Sequence, residues 1–287
     1  MRAGKWLRKR AVMIFAGIVI AYTLIPIAII VWFSFNDPSG KYNYTWEGAT
    51  LEHWQNAFGL PELNDALLTS LRLALLATLI STVIGTLMAL ALVRYQFFGR
   101  RSANFLIVVP MATPEIVMGA SLLSMFLVYG ITLGFQTLLI AHVMFCISFV
   151  VVTVRSRLIG FDRSIEEAAQ DLGANPFITF WRVTLPLILP GIVAGALLAF
   201  ALSVDDFIVS NFNSGTIVTF PIFIYGAFQR GIPVEVNVIA TMMFILTLGA
   251  MAFAVWQQSR AAKLASVRPP QEGEALVPVP AGGAAAG

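Results

Sequence analysis

Charge is what this sequence has least of. Only 11% of its 287 residues are Asp, Glu, Lys or Arg, against roughly 25% in ordinary soluble domains. The charges are also bunched, so several runs longer than a bilayer crossing carry none, a pattern that points to lipid as the solvent. Cysteine is nearly absent: Cys146 stands alone in an apolar stretch, which excludes an intrachain disulfide and leaves packing as its reading. The two histidines, His53 and His142, have no Cys/His cluster or nucleophile motif beside them, so a metal site, a cofactor site or a catalytic triad has no support. His142, on an apolar span, reads as a packed, hydrogen-bonded side chain rather than a ligand. No Gly-x-x-x-x-Gly-Lys-Ser/Thr occurs, so the chain has no loop to cradle a nucleotide phosphate and is not itself an ATPase.

What is present is hydrophobic residue, 58% of the chain, laid out in charge-free runs. Residues 11–35, 73–93, 183–204 and 236–259 each lack charge and have the length of a crossing, about 20 helical residues. Residues 102–154 contain one charge, Glu115, and are too long for one span. A break near Tyr129, Gly130 and Gly134 makes two. The expected fold class is therefore an all-α membrane protein with six transmembrane helices. The run 11–35 exceeds the 7 to 15 apolar residues of a signal peptide and reads as a retained anchor.

Lys and Arg stay in short cytoplasmic loops. With the N-terminus inside, 15 of the 18 fall on the cytoplasmic side and only Lys41, Arg72 and Arg230 outside, so both termini are expected in the cytoplasm. The organisation is a basic N-terminus (1–10), a six-helix transmembrane domain (11–264) and a tail (265–287) whose Pro, Ala and Gly cannot bury enough apolar area to fold. Around Thr50, Leu51, Trp54, Ala57 and Phe58 the spacing predicts a short amphipathic helix at the interface. Ser81, Gly85 and Ala89, and likewise Gly191, Gly195, Ala199 and Ser203, form stripes of small residues on which helices pack closely.

Two connections hold most of the remaining chemistry: an inner loop (160–186) and an outer loop (205–235). In the inner loop Ser164 and Glu167 have capping-box spacing, Gly173 suits a left-handed helix end, Asn175 and Pro176 start a second helix, and Pro186 opens the next span. Ala168, Ala169, Leu172, Phe177 and Trp181 are thereby carried at the cytoplasmic surface. Local physics allows either a docking knob or a well-capped connector.

The same segment closely resembles the signature of binding-protein-dependent ABC importer permeases. Glu167-Ala168-Ala169, Gly173 and Val183-Thr184-Leu185-Pro186 match its spacing throughout, with Val183 in place of Ile as the one departure. The resemblance implies the type I, MetI-like permease fold. It also implies a bacterial plasma (inner) membrane location, multi-pass, and a loop in which Glu167, Ala168, Ala169, Gly173 and Pro186 couple to a separate ATPase. Residues 64–101, Pro110 to Gly119, Ser203 to Phe207 and Pro233 to Thr241 further resemble the second membrane subunit of the spermidine/putrescine permeases. The implied partners are a homologous permease subunit forming a heterodimer, two ATPase subunits and an extracellular polyamine-binding protein, within a lipid bilayer and without nucleic acid.

In the outer half, Asp205 and Asp206 end the fifth span and Glu115 lies inside the third, behind Pro110 and Pro114. Intramembrane carboxylates cost about 2.5 to 3.5 kcal/mol on insertion scales, so retained ones face a cavity or a partner. The outer loop adds Phe207, Phe212, Phe220, Phe223, Tyr225 and Phe228, and its three acids against Arg230 leave a net charge of −2. Carboxylate with aromatic surface suits an amine. Asp205, Asp206, Glu115 and Phe207 are thus the substrate-path candidates, the competing reading being belt aromatics and solvated or subunit-facing acids. Permeases for iron, thiamine or phosphonate remain as alternatives, as does an ion-coupled secondary transporter, which would be expected to show internal repeats.

Overall fold

The computed structural model of the protein describes residues 2–160 and 162–267. In chain order its helices are α1 (Arg2–Phe33), α2 (Glu52–Gln55), α3 (Pro61–Arg94), α4 (Arg100–Ala112), α5 (Glu115–Val128) and α6 (Phe135–Ile159). There follow α7 (Ser164–Asp171), α8 (Pro176–Thr179), a π-helical turn (Phe180–Thr184), α9 (Leu185–Asp205), α10 (Ile208–Asn213), α11 (Phe220–Arg230) and α12 (Val234–Val267). Among the described residues the one β contact is an isolated bridge between Asn36 and Ala49. Helix throughout is what lipid demands, because a helix satisfies its backbone groups within one segment.

Among the described residues four helical runs are long and apolar enough to cross a membrane: Arg10–Phe33, α3, α6, and Pro176–Asp205 through α8, the π turn and α9. The pair α4 and α5 makes a fifth if counted as one crossing. The described apolar part of α12, Val234–Gly249, is shorter. The chain forms two compact units, one comprising residues 1–34 and 237–287, the other Phe35–Val236.

The core of the second unit is a three-helix contact. Helix α6 packs against both α3 and α9, and those two pack on each other. The small-residue stripes make it possible. Ser81, Gly85 and Ala89 on α3, and Gly191, Gly195, Ala199 and Ser203 on α9, are all buried. A Cβ at Gly85 would stand 2.7 Å from Val150 Cγ1, and one at Gly191 would stand 2.8 Å from Arg157 Cβ. Phe145, Cys146, Val150, Val151 and Val154 of α6 fill the space between. Cys146 Sγ donates to the Ala199 carbonyl at 3.4 Å, a packed thiol as expected.

Several sequence expectations need correction. The bend of the third span is not among them, since prolines there break a helix: α4 and α5 meet at 110° across Thr113 and Pro114, because Pro114 disfavours helical conformation at the residue before it. The second spanning helix starts at Pro61 rather than beyond Arg72, which lies exposed on α3. The interfacial helix near Trp54 shrinks to the single turn α2. The outer loop is largely helical, containing α10 and α11. Helix α12 continues to Val267, past the expected start of the tail, and the rest of the tail lies outside the described residues.

Ahead of α3, the first outer segment folds around Asn36. Its Nδ2 donates to Asn43 Oδ1 and to the Thr45 carbonyl, each at 2.6 Å, and its Oδ1 accepts from the amide of Glu47 at 2.8 Å. His53 Nδ1 lies 3.4 Å from Glu235 Oε1, tying α2 to the start of α12. If close approach at the stripes holds the core, Gly85→Leu will overpack it by about 1 to 3 kcal/mol. A clear fall in melting temperature in detergent, against a near-neutral change for a lipid-exposed control such as Leu79→Ile, is the expected result.

Candidate functional site

The inner loop is built from two short helices set on a longer one. Helix α7 begins at Ser164, but not through a capping box: no side-chain cap bond forms, and instead the Ser164 amide donates to Asp162 Oδ1 at 3.0 Å. That bond holds the exposed Asp162 carboxyl below its ordinary pKa. The far end agrees with expectation. Gly173 has φ +89°, and the Gly173 and Ala174 amides donate to the carbonyls of Gln170 and Ala169 at 2.9 and 3.1 Å. This satisfies carbonyls that the helix end would otherwise leave orphaned. Asn175 Oδ1 then accepts the Ile178 amide at 2.8 Å, with Pro176 at the first position of α8.

Pro186 stands in the first turn of α9, as expected, but α9 is joined without a break to the helix before it. Helix continues from Pro176 to Asp205, and the π turn at Phe180–Thr184 precedes the proline. A widened turn accommodates the missing N–H and the ring of Pro186, which would otherwise crowd the carbonyl four residues back. The result is a knob with Leu172 91% exposed and Phe177 71% exposed. Trp181 is exposed beside Phe177, their rings 6.2 Å apart. Glu167 and Ala168 are exposed, and Ala169 is half-buried.

The neighbouring Glu166 was not singled out by the sequence. It is buried on the inner side of α7, where Oε1 pairs with the Arg94 guanidinium at the end of α3 and accepts from the Thr184 hydroxyl in the π turn. One carboxylate thus joins three elements. Breaking such a buried pair by removing one partner is costly, about 3 to 5 kcal/mol where fully buried; here the side chains remain 24% and 11% exposed, which lowers the figure.

On the outer side the four candidate residues fall into different environments. Asp206 is 8% exposed, and its oxygens accept the amides of Val209 at 3.2 Å and Ser210 at 2.8 Å, capping α10. His142 of α6 lies against it at 3.5 Å and bonds Ser203 at 2.8 Å and Ser210 at 2.9 Å, as expected of a packed histidine. Asp205 is exposed. Phe207 is half-buried, its ring 4.6 Å from that of Tyr225. Glu115 is exposed in the first turn of α5, one turn before Gly119, which packs on Phe212 of α10. Phe212 and the buried Phe220 are therefore packing residues.

Tyr225 also borders an open cavity of about 780 Å³. Its wall includes Glu62, Asp65 and Thr69 from α3, Tyr42 and Lys41 from the first outer segment, and Phe223 and Arg230 from α11. Glu62 and Asp65 carry the i, i+3 spacing that places them on one helix face. The sequence concealed them because α3 had been expected to begin only after Arg72.

The family described as the inner membrane component of binding-protein-dependent transport systems matches residues 81–263, a stretch that contains the whole inner loop and both outer helices. This chain belongs to that family. As a permease of this kind it is an inner-membrane transport component rather than a catalytic subunit. It is 41% identical over 241 residues to the spermidine/putrescine transport system permease protein PotC of Haemophilus influenzae, covering 84% of this chain and 93% of that one. It is 35% identical over 255 residues to the putrescine transport system permease protein PotI of Escherichia coli, covering 86% and 89%. Among solved structures, a chain of a bacterial ABC transporter that imports the acidic polysaccharide alginate superposes with a TM-score of 0.63 at 18% identity, covering 88% of this permease and 96% of that chain. A chain of the MetNI methionine transporter does so with a TM-score of 0.54, covering 69% and 95%. These two share the fold.

At Gly173 a β-branched residue would meet left-handed strain of about 1 to 2 kcal/mol. The permease variant Gly173→Val is expected to reach the membrane at normal levels and lose most transport, while Gly173→Asn keeps more because Asn tolerates this region. Equal transport by wild type and Gly173→Val, at matched membrane levels, would count against a role for this turn.

Proposed function

We propose that this permease forms half of the path of an ATP-driven polyamine importer, taking spermidine, putrescine or both. The observation that carries the reading is the 41% identity to PotC over 84% of this chain and 93% of PotC. In this reading α1, α3, the bent pair α4 and α5, α6, the run through α9, and α12 make six crossings. The excess of Lys and Arg on one side supports cytoplasmic termini. A homologous permease pairs with this one as a heterodimer, a binding protein delivers the amine from outside, and two ATPase subunits receive the knob formed by Glu167, Ala168, Ala169, Gly173 and the helices on either side.

The outer geometry supports an amine. Glu62 and Asp65 share one cavity with Tyr42, Phe223 and Tyr225, and ammonium groups are held by carboxylates and by aromatic faces, the latter at about 0.5 to 2 kcal/mol each. Phe207 backs Tyr225. Asp205 and Glu115, both exposed, are proposed to meet the cation beyond this cavity, while Asp206 serves the path through α10, whose first amides it caps. Lys41 and Arg230 in the same wall set a counter-charge that keeps the cavity from holding a polycation too tightly.

Uptake of radiolabelled spermidine and putrescine by cells with and without this chain, its partners present, tests the reading. ATP-dependent uptake is expected to disappear on deletion; unchanged uptake would redirect the search to iron, thiamine or phosphonate. A finer measurement concerns the cavity. Glu62→Gln combined with Asp65→Asn is expected to raise the KM for spermidine about tenfold with membrane level unchanged, the size of one or two lost charge-assisted contacts. An unaltered KM would remove these two carboxylates from the path.

A further inference from the structure

The inner loop and the outer cavity are joined by one element. Helix α3 has 34 residues, about 50 Å at 1.5 Å per residue, and Pro61 at its start is its only proline. At the outer end Glu62, Asp65, Ala66 and Thr69 are wall residues of the cavity. One turn on, Ser70 Oγ accepts the Phe220 amide at 2.8 Å, which fixes the start of α11 to α3. At the inner end Arg94 is held by Glu166 of α7, and Glu166 in turn is held by Thr184 of the π turn. Tyr95 and the residues after it leave the helix, so Arg94 is the last point at which α3 can be gripped.

We propose that α3 is the rod that carries displacement of the ATPase-facing loop to the outer cavity, and that Arg94, Glu166 and Thr184 are the positioning residues that grip it. The inference rests on the reading of the inner loop as the ATPase dock and adds how its motion reaches the cavity. The chemistry suits a joint. A buried carboxylate shared by a guanidinium and a hydroxyl keeps a fixed geometry among α3, α7 and the π turn, because separating any partner leaves an unpaired polar group away from water. Glu167, next in sequence and about 100° further round α7, is exposed and stays available to a partner. A push on the knob therefore moves Glu166, and with it the end of α3. Along an uninterrupted helix packed on α6 and α9, that movement arrives at Thr69 and Ser70 rather than dissipating at a kink.

The test uses the complete transporter in proteoliposomes and does not depend on the identity of the substrate. Cys146, the only native cysteine, is buried, so Thr69→Cys supplies a single reactive thiol in the cavity wall. Labelling by a membrane-impermeant maleimide is expected to change about fivefold when ATP and vanadate trap the ATPase, a coupling of ordinary size. With Glu166→Gln or Arg94→Gln added, the trapped nucleotide should be retained while the change in labelling falls below about 1.5-fold, and the charge swap Arg94→Glu with Glu166→Arg should restore at least half of it. Persistence of the full change in both single variants overturns the proposal, as does loss of nucleotide trapping in step with labelling, since that marks a docking defect only. Should the charged variants fail to insert, Thr184→Val decides: it keeps the volume and removes the hydroxyl on Glu166, and a labelling response equal to wild type overturns the proposal. Absent spermidine uptake by the wild type would sink the polyamine reading alone and leave this measurement intact.

Discussion

The rest of the second unit depends on how closely α3 and α9 approach α6. Lipid tails are as apolar as leucine, so burying apolar surface between helices in a bilayer gains little from the hydrophobic effect, and close van der Waals contact has to hold the bundle. Glycine, alanine and serine at four-residue spacing permit that contact, with Val150 and Arg157 of α6 seated where a Cβ on Gly85 or Gly191 would stand. Once the three helices are so fixed, their ends are fixed as well. The inner end of α3 comes to the loop that leaves α6, which puts Arg94 beside Glu166. The outer end of α9 comes to the first third of α6, which puts Ser203 beside His142.

One set of polar groups inside this bundle is closely paired, although Thr78, Thr82 and Thr86 along α3 keep buried hydroxyls without a partner. His142, Ser203, Ser210 and Asp206 form one buried cluster that binds α6, α9 and α10 together. The cluster explains why two adjacent acids behave differently. Asp206 turns inward to cap α10 and meet His142, whereas Asp205 ends α9 in the open. Helix α10 then carries the constraint outward: Asn213 donates to the Gly119 carbonyl at 3.3 Å and Phe212 covers Gly119, so the second half of the bent pair is held by the same cluster. Asp206, a substrate-path candidate from the sequence, thus also bonds the first turn of α10 to the cluster.

Local signals were legible where one or two turns decide the conformation. The small-residue stripes, the left-handed turn at Gly173, the Asn175 and Pro176 start, and the packed His142 and Cys146 all follow from residues within a few positions of each other. One local reading failed to a nearby competitor: Asp162 took the Ser164 amide before a capping box could form. What was illegible is non-local. Arg94 and Glu166 stand 72 residues apart, and nothing in either neighbourhood specifies the other. Arg72 hid the outer end of α3, because a charge at the edge of an apolar run reads as the end of a span, although α3 continues past it and carries Glu62 and Asp65 to the cavity.

The shared fold places little constraint on what is carried. A chain of the alginate transporter shares this architecture at 18% identity, and a shared fold does not by itself fix what is carried. Selectivity has to reside in side chains that can vary without disturbing the α3, α6 and α9 core. The cavity wall meets this condition, since Tyr42, Glu62, Asp65 and Tyr225 come from the first outer segment, the free outer end of α3 and α11. None of them belongs to the packed stripes or to the His142 cluster. The joint at Arg94, Glu166 and Thr184 sits at the other end of the same helix from the cavity. If the proposed dock and cavity are as described, such a permease can change its substrate at one end of α3 while keeping its connection to the ATPase at the other, because a rigid helix conveys position without conveying chemistry.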